Sequence, residues 1–234
     1  MKTALITGAN RGIGFEIAKQ LGEAGFKIIV TARNQERGQN ATTELIEKGI
    51  DATFIKMDVS DPKSIQSAFE ATQQYIQKLD VLVNNAGILL NKSHTVYDVS
   101  PNDTLAMFKT NAFGPFWVTQ TFTPLLEKGS RVIMVSASVG AFSRGITKWA
   151  PAYTVSKTTL NAFTRQLHSQ LKRKGIIVNA MGPGFCLTDL GGSAENKKVT
   201  RTAAEGAATV TWLATTAPNK LNGKFVKDNE IINW

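Results

Sequence analysis

A tyrosine and a lysine stand four residues apart in Tyr153-Thr154-Val155-Ser156-Lys157. On a helix that spacing sets the phenol and the ammonium on one face. An ammonium held near a phenol favours the phenolate, which can bring a group that ordinarily titrates near ~10 toward working pH. Such a tyrosine can give and take protons at a reacting oxygen. Taken alone, the pair is more ordinarily a half-buried tyrosine with a lysine snorkelling beside it, so the chemical reading depends on what surrounds it.

The amino terminus supplies that context. Lys2 to Thr7 reads as a short buried strand, Gly8-Ala9-Asn10-Arg11-Gly12-Ile13-Gly14 as a glycine-rich turn, and Phe15 to Leu21 as a helix with apolar residues at helical spacing. Glycines at 8, 12 and 14 permit a tight turn, close approach of a diphosphate to the backbone, and packing of helix on strand. The helix N-terminus then faces the anion. The spacing is G-x-x-x-G-x-G rather than the common G-x-G-x-x-G fingerprint, and its place directly after the first strand gives it weight.

These groups need a scaffold, and the rest of the chain predicts one. Strands are expected at 27–32, 52–56, 81–84, 131–136, 176–181 and 223–226, and helices at 35–48, 62–77, 103–126, 152–174 and 203–214. The alternation predicts an α/β fold: a single Rossmann-type doubly wound parallel sheet flanked by helices on both faces, spanning residues 1–234 as one domain. A chain of 234 residues with 42% hydrophobic content can bury such a core.

Ligands of such sheets lie beyond the carboxyl ends of the strands. Arg33 follows the second strand, where a basic residue suits an adenosine ribose carrying a 2′-phosphate; with Arg11 it favours NADP(H) over NAD. Asp58 and Val59 follow the third strand as candidates for the adenine contact. Asn85, Ala86 and Gly87 follow the fourth, where small residues let a cofactor lie against the backbone.

Over nearly its whole length the chain resembles the short-chain dehydrogenase/reductases. The resemblance rests on Thr7 to Gly14, Asn84 to Gly87, Asn111, Tyr153 to Lys157 and Pro183-Gly184, in order and at matching spacing. Within that family it is most similar to the cytosolic NADPH-dependent carbonyl reductases, through Thr31-Ala32-Arg33 with Arg37-Gly38-Gln39, Pro151-Ala152-Tyr153, Ala204-Glu205-Gly206-Ala207 and the terminal Trp234. The resemblance implies that Tyr153 protonates a carbonyl oxygen while the nicotinamide delivers hydride to carbon. It implies that Lys157 holds the cofactor ribose and lowers the tyrosine pKa. Asn111 would position a water relaying protons to Lys157, and Thr188, beyond Pro183 and Gly184, would contact the nicotinamide carboxamide.

One position departs from the family. Its serine, which hydrogen-bonds the substrate carbonyl just past the fifth strand, aligns with Ala137 in Val135-Ser136-Ala137-Ser138. In extended chain, Ser136 and Ser138 face away from the side Ala137 faces. Three readings stand open: a local shift brings Ser138 to the substrate, Tyr153 and Lys157 suffice, or the alanine disables turnover. The last leaves an NADP-binding redox sensor as the alternative to an enzyme.

Substrate choice falls to the loops 88–100, 139–152 and 185–200, whose Leu89, Leu90, Phe142, Trp149, Phe185 and Leu190 predict an apolar or aryl ketone or aldehyde. The remaining composition argues against other classes. The 27 basic and 18 acidic residues give a formal charge of +9, but no basic stripe interleaved with aromatics marks a nucleic-acid surface. The apolar run after Lys2 is interrupted by Asn10 and Arg11, and no run approaches the ~20 residues of a membrane span. Cys186, the one cysteine, fits a reducing, cytoplasmic setting. His94 and His168 lack metal-ligand spacing. The short connection between Ala137 and Tyr153 leaves both a monomer and a homo-oligomer open.

Overall fold

A computed structural model describes residues 1–91, 95–144, 149–188, 190 and 201–234. Among them, seven strands run parallel: β1 (Thr3–Thr7), β2 (Lys27–Ala32), β3 (Ala52–Lys56), β4 (Leu79–Asn84), β5 (Leu126–Val135), β6 (Ile177–Met181) and β7 (Phe225–Lys227). An antiparallel β8 (Glu230–Ile232) completes the order β3-β2-β1-β4-β5-β6-β7-β8. The reversal on either side of β1 and β4 opens a crevice at the carboxyl ends of the strands.

Both faces of the sheet are covered, so its central strands are apolar without alternation. Every residue of β1 and β6 is buried. On one face, Ile6, Val30, Val83 and Ile133 pack with Ile17 and Leu21 of α1 (Gly12–Glu23), Leu45 of α2 (Gln35–Glu47) and Val210 of α7 (Ala203–Thr215). On the other, Leu5, Ile29, Leu82 and Val132 pack with Ile65 of α3 (Pro62–Gln73), Val118 and Phe122 of α5 (Gly114–Phe122) and Leu160 of α6 (Pro151–Leu171).

Several boundaries differ from the sequence expectation, and α3 for one ends at Gln73 rather than at 77. The helix expected over 103–126 begins with α4 (Pro101–Phe108), passes through a π-helical turn at Lys109–Phe113 into α5, and ends in a 3-10 turn at Thr123–Leu125. Leu126 instead opens β5, so that strand starts before Arg131. The sheet also gains the antiparallel β8, turned back through Asp228 and Asn229, which both adopt positive φ (51° and 64°) as a tight hairpin turn demands.

Candidate active site

A cavity of about 430 Å³ lies along the carboxyl ends of the strands and is bordered by both the glycine turn and the Tyr153–Lys157 segment. At its floor the ends of β1 and β4 are clamped together. The Thr7 hydroxyl accepts the backbone N–H groups of Asn85 and Ala86, each at 2.9 Å. The Asn85 amide donates to the carbonyls of Thr7 (2.8 Å) and Gly8 (3.2 Å). Gly14 sits within this clamp: a Cβ there would fall 2.3 Å from the Gly8 carbonyl oxygen and 2.4 Å from Asn85 Nδ2.

Helix α1 opens onto the cavity without a capping side chain and with no acidic residue in its first turn. By contrast Asn34, Asp61, Ser100 and Thr202 cap α2, α3, α4 and α7. The first-turn N–H groups of α1 and the positive end of its dipole therefore suit an anion. Gly8, Asn10, Arg11, Gly12, Ile13 and Gly14 all border the space, and Arg33 stands on its rim beyond β2. Asp58 and Val59 border it beyond β3; the Asp58 carboxylate accepts the Ser60 N–H (2.9 Å) and hydroxyl (2.7 Å), which shapes that turn. Asn85, Ala86 and Gly87 line the middle, and Pro183 and Thr188 the far wall. Uncapped helix donors, two arginines and a long small-residue wall fit an anionic dinucleotide. Gly184 departs from expectation: it does not border the cavity, and at φ 78° it packs against the Arg201 side chain.

Tyr153 and Lys157 border the same cavity while being only 6% and 4% exposed. Lys157 Nζ donates to the Val135 carbonyl at 2.9 Å and lies 5.8 Å from the centre of the tyrosine ring. Burial lowers the Lys157 pKa to about 8 and raises that of Tyr153 above its ordinary value. This corrects the expectation of a lowered tyrosine: removal from water outweighs the nearby ammonium, and Tyr153 is a phenol at neutral pH.

Asn111 lies in the π-helical turn, is fully buried, and does not itself border the cavity. Its Oδ1 accepts the Ile88 N–H (2.8 Å), and its Nδ2 donates to the Ile88 carbonyl (2.9 Å) and to Ser156 Oγ (3.1 Å). The Ser156 hydroxyl donates to the Tyr153 carbonyl (2.7 Å). One amide thus ties the segment just after Gly87 to the first turns of α6, and a Cβ at Gly87 would stand 3.4 Å from Asn111 Oδ1 and 3.6 Å from Lys157 Nζ. A π-bulge at such a place is a recurrent means of turning a helical side chain toward a site.

Ser138, expected as a substrate contact, is placed elsewhere. Ala137 is extended (φ −150°, ψ 143°), so its neighbours diverge from it. Ala137 packs against the apolar cluster of Met107, Ala150, Ala152 and Tyr153 and is not among the residues that line the cavity. Ser138 Oγ is buried against Gly182, outside the cavity lining, with no hydrogen-bond partner among the described residues. The Ser136 hydroxyl donates to Asn161 Oδ1 at 2.6 Å.

Around Tyr153 the wall is apolar, built from Ile88, Leu89, Leu90, Val139, Trp149 and Leu190. The Trp149 ring meets those of Tyr153 and Phe185 edge-on, at 5.9 and 5.8 Å. Phe142 is 75% exposed and stands apart from this cluster. His168 bonds Asn222 through Nδ1 (2.8 Å), a structural contact; His94 and parts of all three substrate loops lie outside the described residues.

Residues 2–199 match the family described as short chain dehydrogenase. The chain belongs to that family. Among short-chain dehydrogenases and reductases, it is 33% identical over 249 residues to the short-chain dehydrogenase anuI of Penicillium roqueforti, covering 97% of this chain and 94% of that protein. It is 31% identical over 277 residues to carbonyl reductase [NADPH] 1 of Mus musculus, covering 99% and 98%. The crystal structure of the NADPH-bound carbonyl reductase from chicken fatty liver superposes with a TM-score of 0.88 at 26% identity, covering 100% of this chain and 99% of that one.

Two residues hold this short-chain dehydrogenase site together in ways that a reading of motifs does not assign. Thr7 is the strand-end hydroxyl that holds Asn85 and Ala86, and Asn161 accepts the hydrogen bond of the Ser136 hydroxyl at the border of the cavity. Thr7, the last residue before a glycine turn, carries a positional signal; Asn161, two helical turns beyond Tyr153, carries none.

Proposed function

We propose that this chain reduces ketones or aldehydes to alcohols with NADPH. The observation that carries the reading is that one cavity joins the uncapped N-terminus of α1 to Tyr153 and Lys157. Arg11 and Arg33 on its rim support NADP(H) as the dinucleotide, since guanidinium groups pair well with a 2′-phosphate. Solved neighbours in complex with NADP and with NADPH point the same way. When bound, the nicotinamide would supply hydride to the carbonyl carbon.

The chain's own residues handle the proton and the placement. Tyr153, a phenol because it is buried, donates its proton to the carbonyl oxygen as negative charge develops there. Lys157, charged below about pH 8, sits beside that phenol and favours the phenolate left behind. Asn111 positions both groups by tying Ile88 to Ser156 and serves as the candidate for ordering a water toward Lys157. The wall of Leu89, Leu90, Trp149 and Leu190 excludes water and selects an apolar or aryl substrate.

NADPH consumption with a panel of aryl ketones and aldehydes tests the proposal. Tyr153→Phe should lower turnover by about 10²–10⁴-fold, the usual range for a general acid, while NADPH still binds. A second reading, an NADP-binding redox sensor, is favoured by Ala137 at the position where the family carries its serine. Tight NADPH binding without turnover in either the parent or Ala137→Ser would select it.

A further inference from the structure

Resting on that reductive reading, we infer that Ser136 and Asn161 are positioning residues for Lys157, their hydrogen bond fixing the turn of α6 that carries the ammonium against the end of β5. At its tip Lys157 is held by the Val135 carbonyl at 2.9 Å. A lysine carries its charge on a flexible stem, so the tip stays in place only where the backbone beneath it is also fixed. Asn161 supplies that anchor. It stands one helical turn beyond Lys157 on the same face of α6 and is buried. Its Oδ1 accepts the Ser136 hydroxyl at 2.6 Å, and its Nδ2 donates to the Gly140 carbonyl at 3.1 Å.

Both partners of Asn161 lead back to Lys157. Ser136 follows Val135 and is tied into the sheet by its N–H, which donates to the Met181 carbonyl at 2.7 Å. Its hydroxyl also lies 3.5 Å from the Lys157 carbonyl oxygen. Gly140 lies against the Lys157 backbone so closely that a Cβ there would meet it. One amide thus joins the end of β5, the 3-10 turn at Ser138–Gly140 and α6. It does so in the interior, where a broken pair leaves unsatisfied groups behind. Asn161 is not among the residues that line the cavity, so its influence on the reaction passes through Lys157 rather than through contact with substrate or dinucleotide. The ammonium stands 5.8 Å from the centre of the Tyr153 ring, and its support for the phenolate depends on that separation. A small shift of this turn therefore acts on the proton step, while the hydride and proton transfers remain those described above.

The test measures kcat, KM for an aryl ketone such as acetophenone, NADPH affinity and the pH profile of kcat/KM in Ser136→Ala, Asn161→Leu and the double variant. Each single change should lower kcat by about 10- to 100-fold, the scale of a small misplacement, while ketone KM moves by less than about threefold. The double variant should lose no more than the worse single one, because the two side chains act as one unit. Loosening this turn admits water to the ammonium, so the decline in kcat/KM expected above about pH 8 should move upward, toward the ordinary lysine range. Ser136→Thr, which keeps the hydroxyl, should restore most of the kcat that Ser136→Ala loses. Ser136→Ala reads the link by itself where Asn161→Leu does not fold, and NADPH affinity and melting temperature report the fold of every variant. A lowered melting temperature with kcat and the pH profile unchanged would overturn the inference while leaving carbonyl reduction intact, as would additive losses in the double variant. No turnover by the parent, with NADPH still bound, would remove the reductive reading and this inference together.

Discussion

Burial moves Lys157 from the ordinary lysine value of 10.5 to about 8, so the unfolded chain holds this proton over a pH range in which the folded protein releases it. Stability should therefore rise as pH climbs from about 8 toward 10.5, and the penalty is fully present below about 8. Lys157→Met should raise the melting temperature at pH 7, with a gain of at most about 3 kcal/mol, reduced by the lost bond to the Val135 carbonyl. The gain should shrink toward pH 10.5 in thermal scans, while turnover is lost at every pH. The same titration predicts that kcat/KM for reduction is level below about pH 8 and declines above it, as the charge beside the phenol disappears. Arg33 makes a separate prediction on the cavity rim. Removing one charge-assisted contact, Arg33→Ala should weaken NADPH binding by about 10- to 100-fold and NADH binding little, as read by fluorescence titration.

Elements differ in how far their residues announce them. The bounds of β2 and β3 follow from apolar runs set between polar turns, and α2 and α3 begin where Asn34 and Asp61 can cap them. The glycine turn, Tyr153 and Lys157 are legible through their residue types and spacing, and the structure brings them to the border of one cavity. The π-helical turn is not, because Lys109–Phe113 continues a helical pattern and an added backbone residue has no side-chain period of its own. Ser138 escapes a sequence reading since alternation alone shows that neighbours diverge, without saying which partners hold them. The 3-10 turn Ser138–Gly140 shows how tightly the site depends on packing between elements. A Cβ at Gly140 would lie 2.8 Å from the Lys157 carbonyl carbon and 2.9 Å from its Cβ, backbone-anchored atoms that cannot swing aside. Gly140→Ala should therefore cost about 1–3 kcal/mol in chemical denaturation. By shifting Lys157 it should also depress kcat by as much as about 10²-fold, with NADPH affinity less affected. Unchanged kcat would separate this turn from the placement of Lys157.

Across the whole molecule, the carboxyl-terminal hairpin reaches the feet of two loops that border the substrate side. Ser143, in the loop after β5, donates its N–H to the Trp234 carbonyl (3.1 Å) and its hydroxyl to the Asn233 carbonyl (2.9 Å). Arg201, where the chain returns from the loop after β6, pairs with Asp228 in the hairpin turn, and its own carbonyl accepts the Leu187 N–H at 2.8 Å. The hairpin is in turn seated by Trp234, whose ring stacks on the fully buried Phe225 at 5.4 Å. The Asp228-Asn229 pair is the sequence signal for this hairpin, since both residues tolerate the left-handed conformation better than most. The Arg201–Asp228 pair is half exposed, and pairs of that kind contribute little to stability, so the aromatic stack is the stronger anchor. Trp234→Ala should then remove about 1–2 kcal/mol of stability, which in a chain of this size lowers the melting temperature by roughly 2–8 °C. Because the glycine turn, Arg33 and Asp58 stand at the opposite side of the sheet order, NADPH affinity should stay within about twofold while KM for the ketone rises. A parallel loss of NADPH affinity would mean that the hairpin supports the whole crevice rather than its substrate side.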